Sequence, residues 1–225
     1  MSYFQIVWQW LTAAQQWHGS NGIPDRLVQH LEYTGIALAI ATVIALPLGV
    51  AMGHARRGGF AIVSVANFGR ALPTLGLLVL VYVLTSGSPA SWLVPLAALA
   101  IPPILVNAYE GVLGVDPELT DAARGMGMSE WQILRKVEVP VALPLLLLGL
   151  RIAAIQVVAT ATIAAYIGLG GLGRYIIDGL ASNEYNVVAG GAALVVLLAL
   201  AVQAAFMLLR QLIVPQGLRH QTRSS

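Results

Sequence analysis

Five apolar runs, each long enough for a helix to cross a bilayer, leave this chain few ways to fold. A span needs about 20 residues of helix. The runs cover roughly residues 34–54, 60–85, 91–111, 141–168 and 187–213. In hydrocarbon every backbone N–H and C=O must be satisfied within the structure, so runs of this length read as helices. Apolar residues make up 58% of the 225, and only 10% are Asp, Glu, Lys or Arg. A soluble domain lies nearer half apolar and a quarter charged. The expected fold class is all-α and integral to the membrane, with about five transmembrane helices. The second run is the least regular, because Arg70 and Pro73 interrupt it. Residues 60–70 must either join that span or lie in the interface.

Loop charges set an expected direction. Arg56 and Arg57 follow the first span, Arg124, Arg135 and Lys136 follow the third, and Arg210, Arg219 and Arg223 end or follow the fifth. The opposite side carries Arg26 and Arg174. This bias puts the N-terminus outside and the loop between spans three and four in the cytoplasm. The expected division is an extracytoplasmic segment at 1–26, a transmembrane domain at 27–210 and a cytoplasmic tail at 211–225. Residues 1–28 have no basic leader and no small-residue cleavage site, so a cleaved signal is not expected. Tyr3, Phe4, Trp8, Trp10 and Trp17 suit a helix lying at the outer interface.

Several chemistries find no support. The chain has no cysteine, so thiol nucleophiles and Cys-ligated metals are excluded. His18, His30, His54 and His220 are scattered without ligand spacing, so no metal or other cofactor is expected. The run Gly168-Leu169-Gly170-Gly171-Leu172-Gly173 satisfies G-x-G-x-x-G but follows a membrane span and lacks a βαβ context. It reads as a turn leading to a short helix within 174–186, either a plain connector or part of an outer docking face. No phosphate-binding GxxxxGK[ST] loop occurs, and nothing suggests nucleic-acid binding.

The segment 115–144 is the exception to the low charge. Asp116, Glu118, Asp121, Arg124, Glu130, Arg135, Lys136 and Glu138 crowd into it. Asp116 can cap a helix that Pro117 opens, with Gly125 and Gly127 ending it. Ser129 and Gln132 form an S-x-x-Q capping box for a second short helix through Lys136, with Pro140 and Pro144 at the entry to span four. Ala122, Ala123, Met126, Met128, Trp131 and Ile133 then form an apolar knob suited to a groove on another protein.

These residues resemble the EAA loop of ABC importer permeases, patterned EAA-x3-G-x9-I-x-L-P. The chain gives Asp121-Ala122-Ala123, three residues, Gly127, nine residues, then Val137-Glu138-Val139-Pro140. The resemblance covers about 27–210 and is closest to the osmoprotectant permeases. Leu46-Pro47-Leu48-Gly49, Arg70-Ala71-Leu72-Pro73-Thr74-Leu75, DAARGMGMSEWQILRKVEVPVALP and ATIAAYIGLGGLGRYIIDGL carry it. Methionine, taurine and nitrate importers share some of these stretches.

The resemblance implies a permease subunit in the cytoplasmic (inner) membrane that moves glycine betaine, choline or a similar solute by alternating access. It implies a coupling helix at 121–127, with Asp121, Ala122, Ala123, Gly125, Gly127 and Met128 facing an ATP-binding subunit. ATP hydrolysis is then expected on that subunit, not on this chain. A second permease copy or paralogue, an extracytoplasmic solute-binding protein and membrane lipid complete the expected partners. Methionine or another small organic solute is the alternative cargo. An ATP-independent channel or secondary transporter is the alternative of another class. Asn67, Arg70, Asn107, Glu110, Arg151 and Gln156 are candidates for the translocation path or an inner gate. Arg70 and Arg151 also fit a purely structural role, paired with Glu110 or snorkelling to the interface.

Overall fold

The computed structural model describes residues 3–214, and every regular element among them is helical. The helices are α1 (Tyr3–Thr12), α2 (Ile23–His54), α3 (Gly59–Ala71), α4 (Thr74–Leu84), α5 (Ala90–Leu113), α6 (Pro117–Gly125), α7 (Glu130–Ile133), α8 (Val139–Ala164), α9 (Gly173–Ser182) and α10 (Tyr185–Ile213). Single 3₁₀ turns occupy Ala14–Trp17 and Ala165–Ile167.

Four helices are long and apolar enough to cross a membrane: Ile23–His54, Ala90–Leu113, Glu130–Ile167 and Tyr185–Ile213. The pair Gly59–Gly69 and Thr74–Leu84 passes the same test together, which makes five if the broken pair is one span. Their side chains agree with this use. Phe60 is 89% exposed and Leu212 83%, and Val43, Leu84 and Leu208 are also exposed. So many large apolar side chains left exposed suit hydrocarbon or a partner rather than water.

Contacts divide the chain into two units, and α2, α5, α8 and α10 contribute residues to both. One comprises the chain through Ala39, Leu72–Leu99 and Ala154–Val202. Its core joins Leu78, Ala164 and Leu169 to Tyr33 and Trp92, and Val158, Leu172 and Leu198 to Leu27 and Leu194. At the N-terminus one tryptophan is packed rather than exposed. Trp10 is only 5% exposed, and its ring meets Tyr175 edge-on at 5.1 Å. The indole occupies the space that a side chain at Gly190 would need, so α1 is packed by Trp10 while Trp8 and Trp17 remain exposed. The side chains of Tyr3 and Phe4 lie outside the described residues. The glycine turn is a backbone fixture. Gly171, at φ +84°, donates its N–H to Gln29 Oε1 at 2.9 Å.

The other unit comprises Ile40–Ala71, Ala100–Ala153 and the chain from Gln203 onward. Its core is Ala108, Val112, Ala142 and Leu146, with Leu46, Val50, Leu134 and Val139 against it. Small residues let these helices approach closely, as in membrane packing generally. A Cβ at Gly49 would lie 2.7 Å from Leu105 O, and one at Gly149 would lie 2.7 Å from Asn107 Cβ and 2.8 Å from Pro103 O.

Candidate functional site: the loop between α5 and α8

The loop is built from local rules at both ends of α6. Asp116 Oδ1 accepts the Glu118 N–H at 2.9 Å, and Pro117 occupies the first turn, where its missing N–H removes no helical bond. At the other end Met128 N–H donates to Ala123 O at 3.1 Å and Gly127 N–H to Arg124 O at 2.9 Å. These two bonds form a Schellman closure, with Gly127 at the left-handed position, φ +82°. The helix therefore runs Pro117–Gly125, as its caps indicate in the sequence, and the stretch 121–127 implied by the resemblance is its second half with the closing glycine turn.

The second helix differs more. Ser129 and Gln132 do form the reciprocal cap, with Ser129 N–H donating to Gln132 Oε1 at 2.9 Å. The α-helix stops after Ile133, however, and a π-turn at Leu134–Glu138 carries it into α8. Val139 N–H bonds back five residues, to Leu134 O. A widened turn at this point shifts the hydrogen-bond ladder just before Pro140, which has no N–H to give. The expected helix-turn-helix knob is thus one free helix, α6, beside the first turns of a membrane helix.

A chain of polar contacts fastens α6 to its neighbours. Arg124 donates Nε to Glu130 Oε1 at 2.8 Å and Nη2 to Glu130 Oε2 at 3.1 Å, while Nη1 reaches Asp121 Oδ1 at 2.9 Å. These bonds, those to Glu130 foremost, hold the guanidinium above its ordinary proton affinity. Glu130 Oε2 also stands 3.6 Å from His54 Nε2. His54, the last residue of α2, directs Nδ1 at Glu138 Oε2 at 2.6 Å. Glu138 is 3% exposed, so this carboxylate depends on His54 for its side-chain partner. Two residues further on, Arg56 Nη2 donates to Val115 O at 3.0 Å. The end of α2 therefore grips the loop at its entry, through Val115, and at its exit, through Glu138.

The faces of α6 are divided accordingly. Thr120 and Ala123 are buried, and Ile133 beneath them is fully enclosed. Leu119, Ala122 and Met126, at helical spacing, form an exposed stripe beside these buried residues, with Met126 at 76%. Trp131 is 63% exposed, with the Arg135 guanidinium 5.5 Å from its ring centre. A Cβ at Gly125 or Gly127 would meet no atom of this chain within 4 Å. Of the six residues expected to face a partner, Ala123 instead faces inward, because it packs the helix down. Asp121, Ala122, Gly125 and Gly127 are exposed and Met128 is half-buried.

The candidate path residues are not brought together in this way. Asn67 and Glu110 are exposed, and Asn107 spends its Nδ2 on Pro103 O of its own helix at 2.8 Å. The suggested pairing of Arg151 with Glu110 does not occur. Gln156 is half-buried and belongs to the other unit, and the Arg70 side chain lies outside the described residues. Arg219 and Arg223 of the tail also lie outside them. Sequence reading missed His54 as a loop contact. Its one available signal was position: it ends the first span on the side where the charge pattern put the loop. Glu138 gave none, since a partner 84 residues away leaves no local spacing.

Comparison with known proteins places this geometry. Residues 33–217 match the family model described as the binding-protein-dependent transport system inner membrane component. The glycine betaine/carnitine/choline transport system permease protein OpuCB of Bacillus subtilis is 34% identical over 191 residues, 85% of this chain and 88% of that protein. The carnitine transport permease protein OpuCB of Listeria monocytogenes is 33% identical, with the same coverage of both chains, 85% and 88%. Among solved structures, a chain of the MetNI methionine ABC transporter in an inward-facing conformation superposes with a TM-score of 0.73. It is 25% identical, with 86% of this chain and 96% of that one covered.

Proposed function

The chain belongs to the inner membrane components of binding-protein-dependent transport systems, and from that premise we propose that it is the permease of an ATP-driven importer for a small osmoprotectant. Glycine betaine, choline and carnitine are the candidate cargo, since these are the solutes that the relatives' names carry. In this reading α6 is the coupling helix and the loop lies in the cytoplasm. Its exposed stripe of Leu119, Ala122 and Met126 seats in an ATP-binding subunit, which carries out ATP hydrolysis. The single observation that carries this is the bracing of an otherwise exposed helix. A short helix with an apolar outer face gains little by itself, yet Arg124, His54 and Arg56 tie it to α2 and α8. A force applied at Met126 would then reach the membrane helices through defined contacts.

Two permease copies, or a copy and a paralogue, would enclose the path, with the ATP-binding subunits beneath and a solute-binding protein outside. Closure of the ATP-binding subunits would draw the two loops together and change which side of the path is open. Asn67, Arg70, Asn107, Glu110, Arg151 and Gln156 remain candidates for the lining. Quaternary ammonium solutes are commonly gripped by aromatic cages. Trp8, Trp17 and Trp131 are exposed, Trp10 is packed against Tyr175 and Trp92 against Tyr33, so strong solute recognition is assigned to the separate binding protein.

The test is uptake by the transporter reconstituted in vesicles with its ATP-binding subunit and binding protein. Labelled glycine betaine, choline or carnitine should accumulate only with ATP inside, and Asp121→Lys should abolish uptake while leaving the complex assembled. Likeness to the methionine transporter supports a second cargo reading. Accumulation of methionine, with none of the three osmoprotectants moving, would establish that alternative.

A further inference from the structure

Within the unit that holds the loop, α8 and α10 enclose a pocket of about 280 Å³. Pro144, Leu147, Leu148 and Phe206 form its apolar walls, and Arg151 and Arg210 supply two guanidinium groups. Among the described residues no carboxylate lines it. Both helices pass the length and apolarity test for crossing a membrane. Arg151 is half-buried and has no ion pair or hydrogen bond among the described residues. An arginine at membrane depth needs a partner, water or a route to the interface.

We propose that this pocket holds the phosphate of an anionic phospholipid, with an acyl chain along Leu147, Leu148 and Phe206. The planar guanidinium matches phosphate oxygens in a forked geometry. Basic pockets between membrane helices are sites where anionic head groups collect. A zwitterionic lipid offers the same phosphate, but its own ammonium is repelled by the second arginine. A solute with a quaternary ammonium fits less well for the same reason, and because Phe206 is the one ring among the described wall residues while a cage needs several.

Native mass spectrometry of the full transporter complex, with phosphatidylglycerol or phosphatidylcholine added, tests the site. Retention of phosphatidylglycerol should fall at least tenfold in Arg151→Gln/Arg210→Gln, since loss of one charge-assisted contact alone is worth about tenfold. It should be kept in Arg151→Lys. Equal retention in wild type and double variant, or equal retention of the two lipids, overturns the proposal. The chain has no cysteine, so a fluorophore on Ile152→Cys reports the site with both arginines present, which covers failure of the double variant to assemble. Quenching by a minor fraction of brominated phosphatidylglycerol should exceed its share of the bilayer. Quenching that follows bulk composition, or that added carnitine reverses, overturns the proposal. Neither readout requires solute uptake or ATP hydrolysis, so it stands or falls separately from the transport reading.

Discussion

His54 and Glu138, separated by 84 residues, meet at 2.6 Å between Nδ1 and Oε2 and join the end of α2 to the π-turn that begins α8. The carboxylate is buried and the imidazole is its hydrogen-bond donor, so neither residue is neutral to change. Removing one partner of a buried hydrogen bond costs about 1–3 kcal/mol. His54→Ala and Glu138→Gln should each lower the unfolding temperature of the purified permease. The double variant should lose less than the two single losses together. Additive losses would mean that the contact contributes nothing.

Arg124 differs, because its partners Asp121 and Glu130 are exposed. Surface ion pairs add little to stability. Arg124→Lys should leave the unfolding temperature unchanged, but it loses the two-pronged grip on Glu130 that orients α6. Solute-stimulated ATP hydrolysis should drop several-fold, with unstimulated hydrolysis unaltered. Full stimulation in this variant would remove Arg124 from the coupling route.

Gly127 and Gly125 separate backbone strain from docking. The left-handed backbone at Gly127 costs an L side chain about 1–2 kcal/mol. Gly127→Val should therefore destabilise the loop, and Gly127→Asn should do so less. Gly125 has open space around it. Gly125→Trp should leave the isolated permease as stable as wild type and block assembly with the ATP-binding subunit. Normal assembly would show that this face of the turn is not covered.

Gly149 tests the packing that holds the loop's supports together. A Cβ there meets Asn107 and Pro103 at 2.7 and 2.8 Å. Gly149→Leu should destabilise by about 1–3 kcal/mol, the usual range for overpacking. At Gly35, inside α2, a Cβ would meet nothing within 4 Å, so Gly35→Ala should leave stability unchanged or raise it by up to about 1 kcal/mol. Matching thermal unfolding of the two variants would contradict the close approach of α5 and α8.

What the sequence made legible was whatever depends on near neighbours. Asp116-Pro117 and Gly127 marked the ends of α6, and Ser129 with Gln132 marked the start of α7, because caps act within a few residues. The long apolar runs marked the membrane helices for the same reason. The π-turn was hidden because Pro140 reads as a break. Only the shifted bond from Val139 to Leu134 shows how the helix passes it. The grip of α2 on the loop was hidden because Val115 takes part through its carbonyl, which leaves no trace in residue type. The packing of Trp10 was hidden because its partners, Tyr175 and Gly190, lie far along the chain.

In the proposed transporter the exposed stripe of Leu119, Ala122 and Met126 seats against an ATP-binding subunit. Because the chain has no native cysteine, Met126→Cys offers one defined thiol on that face for cross-linking in the assembled complex. The account predicts a cross-link to the ATP-binding subunit at high yield, with none from Gly35→Cys. Equal yields at the two positions, or no product from Met126→Cys in a complex that is otherwise assembled, would contradict it.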